Sequence, residues 1–169
     1  MTASTARLVG TLHDRNGVGV VRLEDRYDTD IEDLWDALTD PERLGRWLGR
    51  IEGDLHVGGE FTAYYFASGW EGTCSVEECD RPRRMRIRSV SEDQPDGSIT
   101  EVTLTADGEG TILVIEDQGL PVAHLAAYGS GNQIHLEDLA SYLAGGERCD
   151  SRARFDELYP SYQELQVQP

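Results

Sequence analysis

The order of its periodic patterns constrains the fold of this chain more than any single motif does. Apolar residues recur at helical spacing between residues 29 and 48, and a two-residue alternation then begins at Ile51 and continues to about residue 117. Helical spacing returns at Ser130. Because no helix separates the later strands, we expect antiparallel hairpins rather than parallel crossover units. The pattern therefore predicts an α+β fold in which a curved antiparallel sheet wraps around a long C-terminal helix.

Turn residues divide the alternating region into strands of similar length. Gly58-Gly59, Asp96-Gly97 and Asp107-Gly108 have the backbone freedom that tight turns require. A first strand begins near Val18, from which alternation continues to Tyr27. We predict seven strands, with the six later ones near residues 51–57, 60–66, 70–79, 83–92, 98–106 and 111–117.

Capping patterns place the helix boundaries. Thr29 and Glu32 have the spacing of a capping box, and Asp40-Pro41 ends a first short helix and begins a second one. Ser130 and Gln133 repeat the capping-box spacing after the Gly129-Ser-Gly131 interruption. We therefore expect two short helices after the first strand and a long helix that begins at Ser130.

The length of the chain is sufficient for one domain with a genuine core. Residues 1–17 are polar and without a clear period, which predicts a flexible leader. Residues 18–169 are expected to form a single domain. Phe155, Leu158 and Tyr162 would attach the otherwise polar C-terminal tail to it, with Pro160 marking a bend.

Composition excludes several classes of partner. The formal net charge is −17, and the chain contains no lysine, so its surface repels nucleic acid and anionic membranes. No apolar run approaches the ~20 residues of a membrane-spanning helix, and we expect a cytoplasmic protein. The three cysteines fit neither a disulfide framework nor a metal pattern. We expect reduced thiols, no metal and no cofactor.

Three blocks of sequence resemble a known family. They are residues 34–47, which contain Leu-Trp-Asp-Ala-Leu-Thr-Asp-Pro-Glu-Arg-Leu and Trp47, the segment Val57-Gly-Gly-Glu-Phe61, and residues 131–145. Together they resemble the START-like (SRPBCC) superfamily, in particular the branch homologous to the activator of heat shock protein 90 ATPase. The resemblance spans residues 18 to 165. It implies a helix-grip fold whose sheet and long helix enclose a hydrophobic pocket, and it implies no single activity.

One position departs from the pattern of that family. Many bacterial relatives have a tryptophan after the glycine that corresponds to Gly131, whereas Asn132 stands here. A polar group therefore replaces an aromatic wall, which implies a different pocket size or ligand polarity.

Polar and apolar residues of the long helix are candidates for the pocket. Asn132 precedes Leu136 by one helical turn, with Gln133 beside it, and His135 flanks Leu139. Asn132 and Gln133 would fix the polar end of a ligand, although the favoured alternative is that both only satisfy the helix N-terminus. His135 is expected to be a partly buried structural residue rather than a catalyst.

Aromatic residues are abundant where the pocket is expected. Successive strand residues face opposite ways, so either Tyr65 or the pair Tyr64 and Phe66 lines the pocket, not both sets. Trp47 and Trp70 are candidates for its rim. The ten ligand-binding candidates are therefore Trp47, Tyr64, Tyr65, Phe66, Trp70, Asn132, Gln133, His135, Leu136 and Leu139.

No established catalytic motif is present. The sequence lacks a GxSxG elbow, a phosphate loop, HExxH and a dinucleotide fingerprint. Arg84, Arg86 and Arg88 share one strand face, and we expect them to pair with acids of neighbouring strands such as Glu101. The arginines are thus predicted to form an ion-paired outer surface rather than an anion site.

The favoured function is binding of a small apolar or amphipathic molecule between the sheet and the C-terminal helix. Two alternatives stay open: a chaperone ATPase co-factor or other interaction module, as the name of the family branch suggests, and an enzyme of the cyclase or aromatase type. Binding is favoured over catalysis. A homodimer through a sheet edge or the C-terminal segment is compatible with the sequence but is not required by it.

Overall fold

The computed structural model describes residues 6–169, and its main element is a nine-stranded sheet. In chain order the strands are β1 (Gly10–Arg15), β2 (Val18–Tyr27), β3 (Gly49–Gly53), β4 (Glu60–Tyr65), β5 (Glu71–Asp80), β6 (Arg84–Val90), β7 (Ser98–Asp107), β8 (Gly110–Leu120) and β9 (Val167–Gln168). Their order in the sheet is β3-β4-β5-β6-β7-β8-β2-β1-β9. All neighbours are antiparallel except β1 and β9.

Four α-helices accompany the sheet in the described residues: α1 (Ile31–Thr39), α2 (Pro41–Trp47), α3 (Leu125–Leu143) and α4 (Ser151–Glu164). A short 3₁₀ turn, Val122–His124, leads into α3. The predicted α+β class and the long C-terminal helix are confirmed, and the fold is consistent with a helix grip. Among the described residues, no helix combines the length and the apolar character that crossing a membrane would require.

The prediction of seven strands is wrong, because β1 and β9 extend the sheet beyond β2. Strand β1 lies within the expected leader, whose residues 1–5 are outside the described part of the chain. Its only large buried apolar residue is Leu12, so its alternation is weak, but Asn16 and Gly17 both have positive φ and form the tight turn to β2. Strand β9 is only two residues long and pairs with β1 in parallel.

The α1 and α2 boundaries depend on two aspartates. The Asp30 side chain accepts a hydrogen bond from the backbone N–H of Asp33, so Asp30 caps α1 where we expected Thr29. Thr29 instead donates to the Asp33 carboxylate at 2.5 Å. Asp40 ends α1 and caps α2 by accepting from the backbone N–H of Glu42, as the Asp-Pro pair predicted.

Helix α3 begins at Leu125, so the prediction of a helix start at Ser130 is wrong. Ser130 Oγ donates to the carbonyl of Ala126 one turn earlier and does not cap a helix. Gly129 lies against α4, where an added Cβ would come within 2.8 Å of the Tyr162 ring. Gly129 therefore allows α4 to pack closely against α3, and neither glycine of this segment marks a helix boundary.

The two faces of the sheet have different chemistry. On one face of β6, Arg86 pairs with Glu77 and Glu101 and Arg88 pairs with Glu77, as predicted for the arginine cluster. The other face supports the apolar core with α1, α2 and α3. Cys74 lies on the core side and Cys79 is exposed, and all three cysteines are free thiols. The functional candidates therefore lie on the helix side of the sheet.

Candidate functional site

A cavity of about 340 Å³ lies between the sheet and α3. Its size falls within the range of small-molecule sites, which is about 300 to 1,000 Å³. Strands β6, β7 and β8 form one wall, and α3 forms the opposite wall. The end of α1, helix α2 and the segment after β4 complete the enclosure.

Strand alternation selects the residues of the sheet wall. Every second residue faces the cavity, and half of these side chains are apolar. They are Met85, Ile87 and Ser89 of β6, Ser98, Thr100 and Val102 of β7, and Ile115 and Asp117 of β8.

A hydrogen-bonded cluster of three side chains interrupts the apolar wall. Thr100 and Asp117 are direct partners in the register of β7 and β8, and the Thr100 hydroxyl donates to Oδ1 of Asp117. From α3, Asn132 Nδ2 donates to Oδ2 of Asp117 at 2.8 Å. Each carboxylate oxygen thus accepts one hydrogen bond, and the cluster joins the two walls of the cavity.

The surroundings of Asp117 favour its neutral form more than water does. Desolvation raises the pKa of the Asp117 carboxyl, while the hydrogen bonds from Thr100 and Asn132 oppose that rise. An acid at this position carries a proton over a wider pH range than an exposed aspartate does.

His135 lines the same cavity three residues after Asn132. Desolvation lowers the pKa of its imidazole from 6.5 to about 4, so the ring is neutral at physiological pH. Its Nε2 atom is buried and has no hydrogen-bond partner among the described residues. His135 therefore adds a neutral polar ring to the wall and no positive charge.

Aromatic rings continue the wall from His135 toward β5. The ring of Tyr65 meets His135 edge-on at 5.2 Å between centroids and stacks on Trp70 at 5.0 Å. Trp47 lines the cavity from α2, with its indole N–H donating to the carbonyl of Ala37 at 3.0 Å. These contacts hold three aromatic surfaces in place around an apolar space.

Six of the ten predicted site residues line this one cavity: Trp47, Tyr65, Trp70, Asn132, His135 and Leu136. The other four do not line it: Tyr64, Phe66, Gln133 and Leu139. Leu139 is fully buried in the core one turn beyond the last lining residue of α3. Tyr64 and Phe66 lie on the opposite side of the chain from Tyr65, under the guanidinium groups of Arg50 and Arg148.

Gln133 belongs to a different part of the molecule. Its Oε1 accepts from the backbone N–H of Val9 at 3.1 Å and from the Tyr162 hydroxyl at 2.5 Å. Its Nε2 donates to the carbonyl of Arg7 and to the carboxylate of Glu137. Gln133 therefore joins α3 to α4 and to the chain before β1, and it neither caps a helix nor faces the cavity.

A second cavity, of about 350 Å³, lies on that other side of α3. Its charged lining residues pair with one another, Arg154 with Glu137 at 2.7 Å and Arg7 with Asp25 at 3.4 Å. Because this lining is occupied by ion pairs, the cavity next to Asp117 is the stronger candidate for binding a small molecule.

A family model matches the segment that contains the cavity. The model described as "Activator of Hsp90 ATPase homolog 1-like protein" matches residues 28–144. The chain belongs to this family. All lining residues of the Asp117 cavity lie within the matched segment, whereas β1, α4 and β9 lie outside it. The resemblance on which the pocket was predicted is thereby confirmed.

Solved structures resemble this family member over most of its length. The crystal structure of CalU16 from Micromonospora echinospora is 26% identical, with a TM-score of 0.77, over 92% of this chain and 94% of that one. DynU16, described as a protein in the dynemicin biosynthetic locus, is 25% identical with a TM-score of 0.68, over 78% of this chain and 50% of that one. No curated protein sequence matches the chain.

The sequence prediction missed Asp117 and Thr100. A usable signal was present, because Leu113, Ile115 and Asp117 follow one another at two-residue spacing and therefore share the core face of β8. An acid that continues an apolar face is unusual and points to a partner or a ligand. Among residues 6–169, no group of three or more His, Cys, Asp or Glu side chains is arranged to hold a metal ion.

Proposed function

We propose that the cavity beside Asp117 binds a small molecule with a large apolar part. The observation that carries the proposal is a partly open cavity of about 340 Å³ with a mainly apolar lining and one polar cluster at its wall. Burying a ligand there would contribute about 25 cal/mol for each Å² of apolar area removed from water. Asn132, His135 and Asp117 would orient its polar group.

Two properties of the wall support binding. The polar groups come from rigid elements, β7, β8 and α3, so their positions are set before a ligand arrives. The aromatic rings of Trp47, Tyr65 and Trp70 offer flat apolar surfaces that are already held by neighbours. A preformed site of this kind loses little side-chain entropy on binding.

A glycine in α3 gives a direct test. Gly131 lines the cavity, and an added Cβ would meet no atom within 4 Å. Gly131→Leu should leave the fold intact, because leucine has a higher helix propensity than glycine. It should weaken the binding of naphthylmethanol, measured by isothermal titration calorimetry, by about tenfold or more, because the new side chain occupies the ligand's space.

Gly45 provides the matched control. It also lies in a helix, α2, and an added Cβ there has open space as well, but Gly45 is exposed and does not line the cavity. Gly45→Leu should bind naphthylmethanol as the unmodified protein does. Equal binding by all three proteins would contradict the proposed location, and no binding by the unmodified protein would contradict the function.

Other predictions about function stay predictions. A chaperone partner is suggested only by the description of the family, and a homodimer only by the open edges of the sheet. A cyclase or aromatase activity would use the same cavity, with Asp117 as its acid. None of these has a feature of the described residues that favours it over simple binding.

A further inference from the structure

The cavity wall contains one acidic side chain and no positively charged one. Asp117 is the only carboxylate among the lining residues, and no arginine lines the cavity in residues 6–169. Lysine is absent from the whole chain. The other titratable lining groups are His135, Tyr65 and Tyr128, of which His135 is neutral because its pKa is about 4. The wall therefore contains no cation to balance a buried anionic ligand.

The hydrogen-bonding capacity of Asp117 is only partly used. A carboxylate offers about four acceptor sites on its two oxygens. Thr100 and Asn132 use one site on each oxygen, which leaves further acceptor sites on Asp117. A ligand group that donates hydrogen bonds can use these sites, whereas a second carboxylate can only repel them.

We infer that this cavity selects apolar molecules whose polar group is a hydrogen-bond donor, an amine above all and then a hydroxyl, and that it rejects carboxylates. This inference rests on the proposed function and adds the class of ligand to it. Both oxygens of Asp117 accept hydrogen bonds, as an ionised carboxylate does. An ammonium group forms an ion pair and a hydrogen bond with this carboxylate, while a hydroxyl forms the hydrogen bond alone. A ligand carboxylate would have to lose its hydration beside Asp117 with no compensating charge.

A series of three compounds with one apolar body tests the inference. Naphthylmethylamine, naphthylmethanol and naphthoic acid differ in the polar group. At neutral pH the amine is a cation, the alcohol is uncharged and the acid is an anion. In titration calorimetry with the unmodified protein, the affinity should decrease from the amine to the alcohol to the acid. The amine should bind at least about tenfold more tightly than the acid, because like charges placed together cost several kcal/mol.

The net charge of −17 would also favour amines at any site, so the role of Asp117 needs a local control. Asp117→Asn removes one negative charge inside the cavity, while Glu116→Gln removes one from the adjacent residue, whose carboxylate pairs with Arg15 outside it. The ratio of the amine affinity to the acid affinity should fall in Asp117→Asn to about a tenth or less of its value in the unmodified protein. In Glu116→Gln this ratio should persist.

The outcomes separate the two proposals. If naphthylmethanol binds but the acid binds as tightly as the amine, the ligand class is wrong and the binding function stands. If Glu116→Gln loses the preference as fully as Asp117→Asn does, the general charge explains it and the inference is overturned. If no compound binds, both proposals are overturned. If far-UV circular dichroism shows that Asp117→Asn does not fold, the same affinities measured with the unmodified protein at about 1 M salt decide the inference, because salt screens the surface charge much more than a carboxylate in the cavity wall. A preference for the amine that survives supports the inference, and one that disappears overturns it.

Discussion

Asn132 and Gln133 are neighbours in the sequence, both carry amides, and they have opposite roles in the fold. Asn132 faces the sheet and donates to Asp117 at the wall of an apolar cavity. Gln133 faces the other way, is 1% exposed, and is saturated by Val9, Arg7, Tyr162 and Glu137. The cavity side of α3 retains polar capacity for a ligand, while the far side uses its polar capacity to hold the protein together.

The family match divides the molecule along the same line. The cavity side lies wholly within residues 28–144, and the elements that meet Gln133, before β1 and in α4, lie outside that segment. The second side also places Tyr162 against Gly10 and Gly129, where side chains would clash with its ring or hydroxyl. We expect changes on this second side to reduce stability with little effect on binding, whereas the binding of a ligand should depend on the first side.

The largest effect is expected from Gln133→Leu. The substitution leaves the half-buried Val9 N–H and the buried Tyr162 hydroxyl without their acceptor. Each unsatisfied buried group costs about 1 to 3 kcal/mol, so the free energy of unfolding should fall by about 3 kcal/mol in urea denaturation. The affinity for naphthylmethanol should stay within about twofold. A stable Gln133→Leu protein with weakened binding would reverse the assignment of the two sides.

The next effect concerns the dependence of stability on pH. The pKa of His135 is about 4 in the folded protein and near 6.5 when the chain is unfolded. Below pH 6.5 the unfolded chain takes up a proton that the folded protein does not, so stability is lost as the pH falls from 6.5 to about 4. The part due to His135 is on the order of 2 to 3 kcal/mol.

His135→Leu should remove this part of the acid sensitivity. Urea denaturation of both proteins at pH 7 and pH 4 measures it, because the other titrating groups are common to the two and cancel in the comparison. An unchanged difference between pH 7 and pH 4 in His135→Leu would show that the imidazole of the folded protein takes up its proton normally.

The smallest effect on stability is expected from Asn132→Leu. Only one hydrogen bond, to Asp117, is lost, and the Thr100 hydroxyl still donates to that carboxylate. The free energy of unfolding should fall by about 1 kcal/mol. The pKa of Asp117 should rise further, because the Asn132 hydrogen bond lowers it, and an NMR titration of the side-chain carboxyl would detect the change. A pKa that does not rise would show that Asn132 does not stabilise the charged form.

The parts of the fold with strong local periodicity were predictable. Strands β2 to β8 follow from alternation between turn residues, and the junction of α1 and α2 follows from Asp40-Pro41, because each of these signals lies within a few neighbouring residues. Strand β1 was missed because only Leu12 gives it an apolar face, although Asn16-Gly17 is a typical turn sequence.

Contacts between segments that are distant in the sequence could not be predicted from it. Gln133 has capping-box spacing after Ser130, but its partners lie near residue 9 and in α4, which no local pattern reveals. Gly129, which interrupts the helical pattern of the sequence, lies against Tyr162 of α4, and no local pattern reveals this contact either. At the cavity, helical spacing identified Asn132, His135 and Leu136 of α3. Asp117 was missed because its partner Thr100 becomes its neighbour only through the sheet register.

Side-chain amide NMR spectra recorded during titration with naphthylmethanol test the central claim most directly. The claim predicts that the Asn132 side-chain amide shifts progressively and saturates, while the Gln133 amide, on the far side of the same helix, does not move. A shift at Gln133 without one at Asn132 would place the ligand on the far side of α3. If neither amide shifts, binding in the cavity is contradicted.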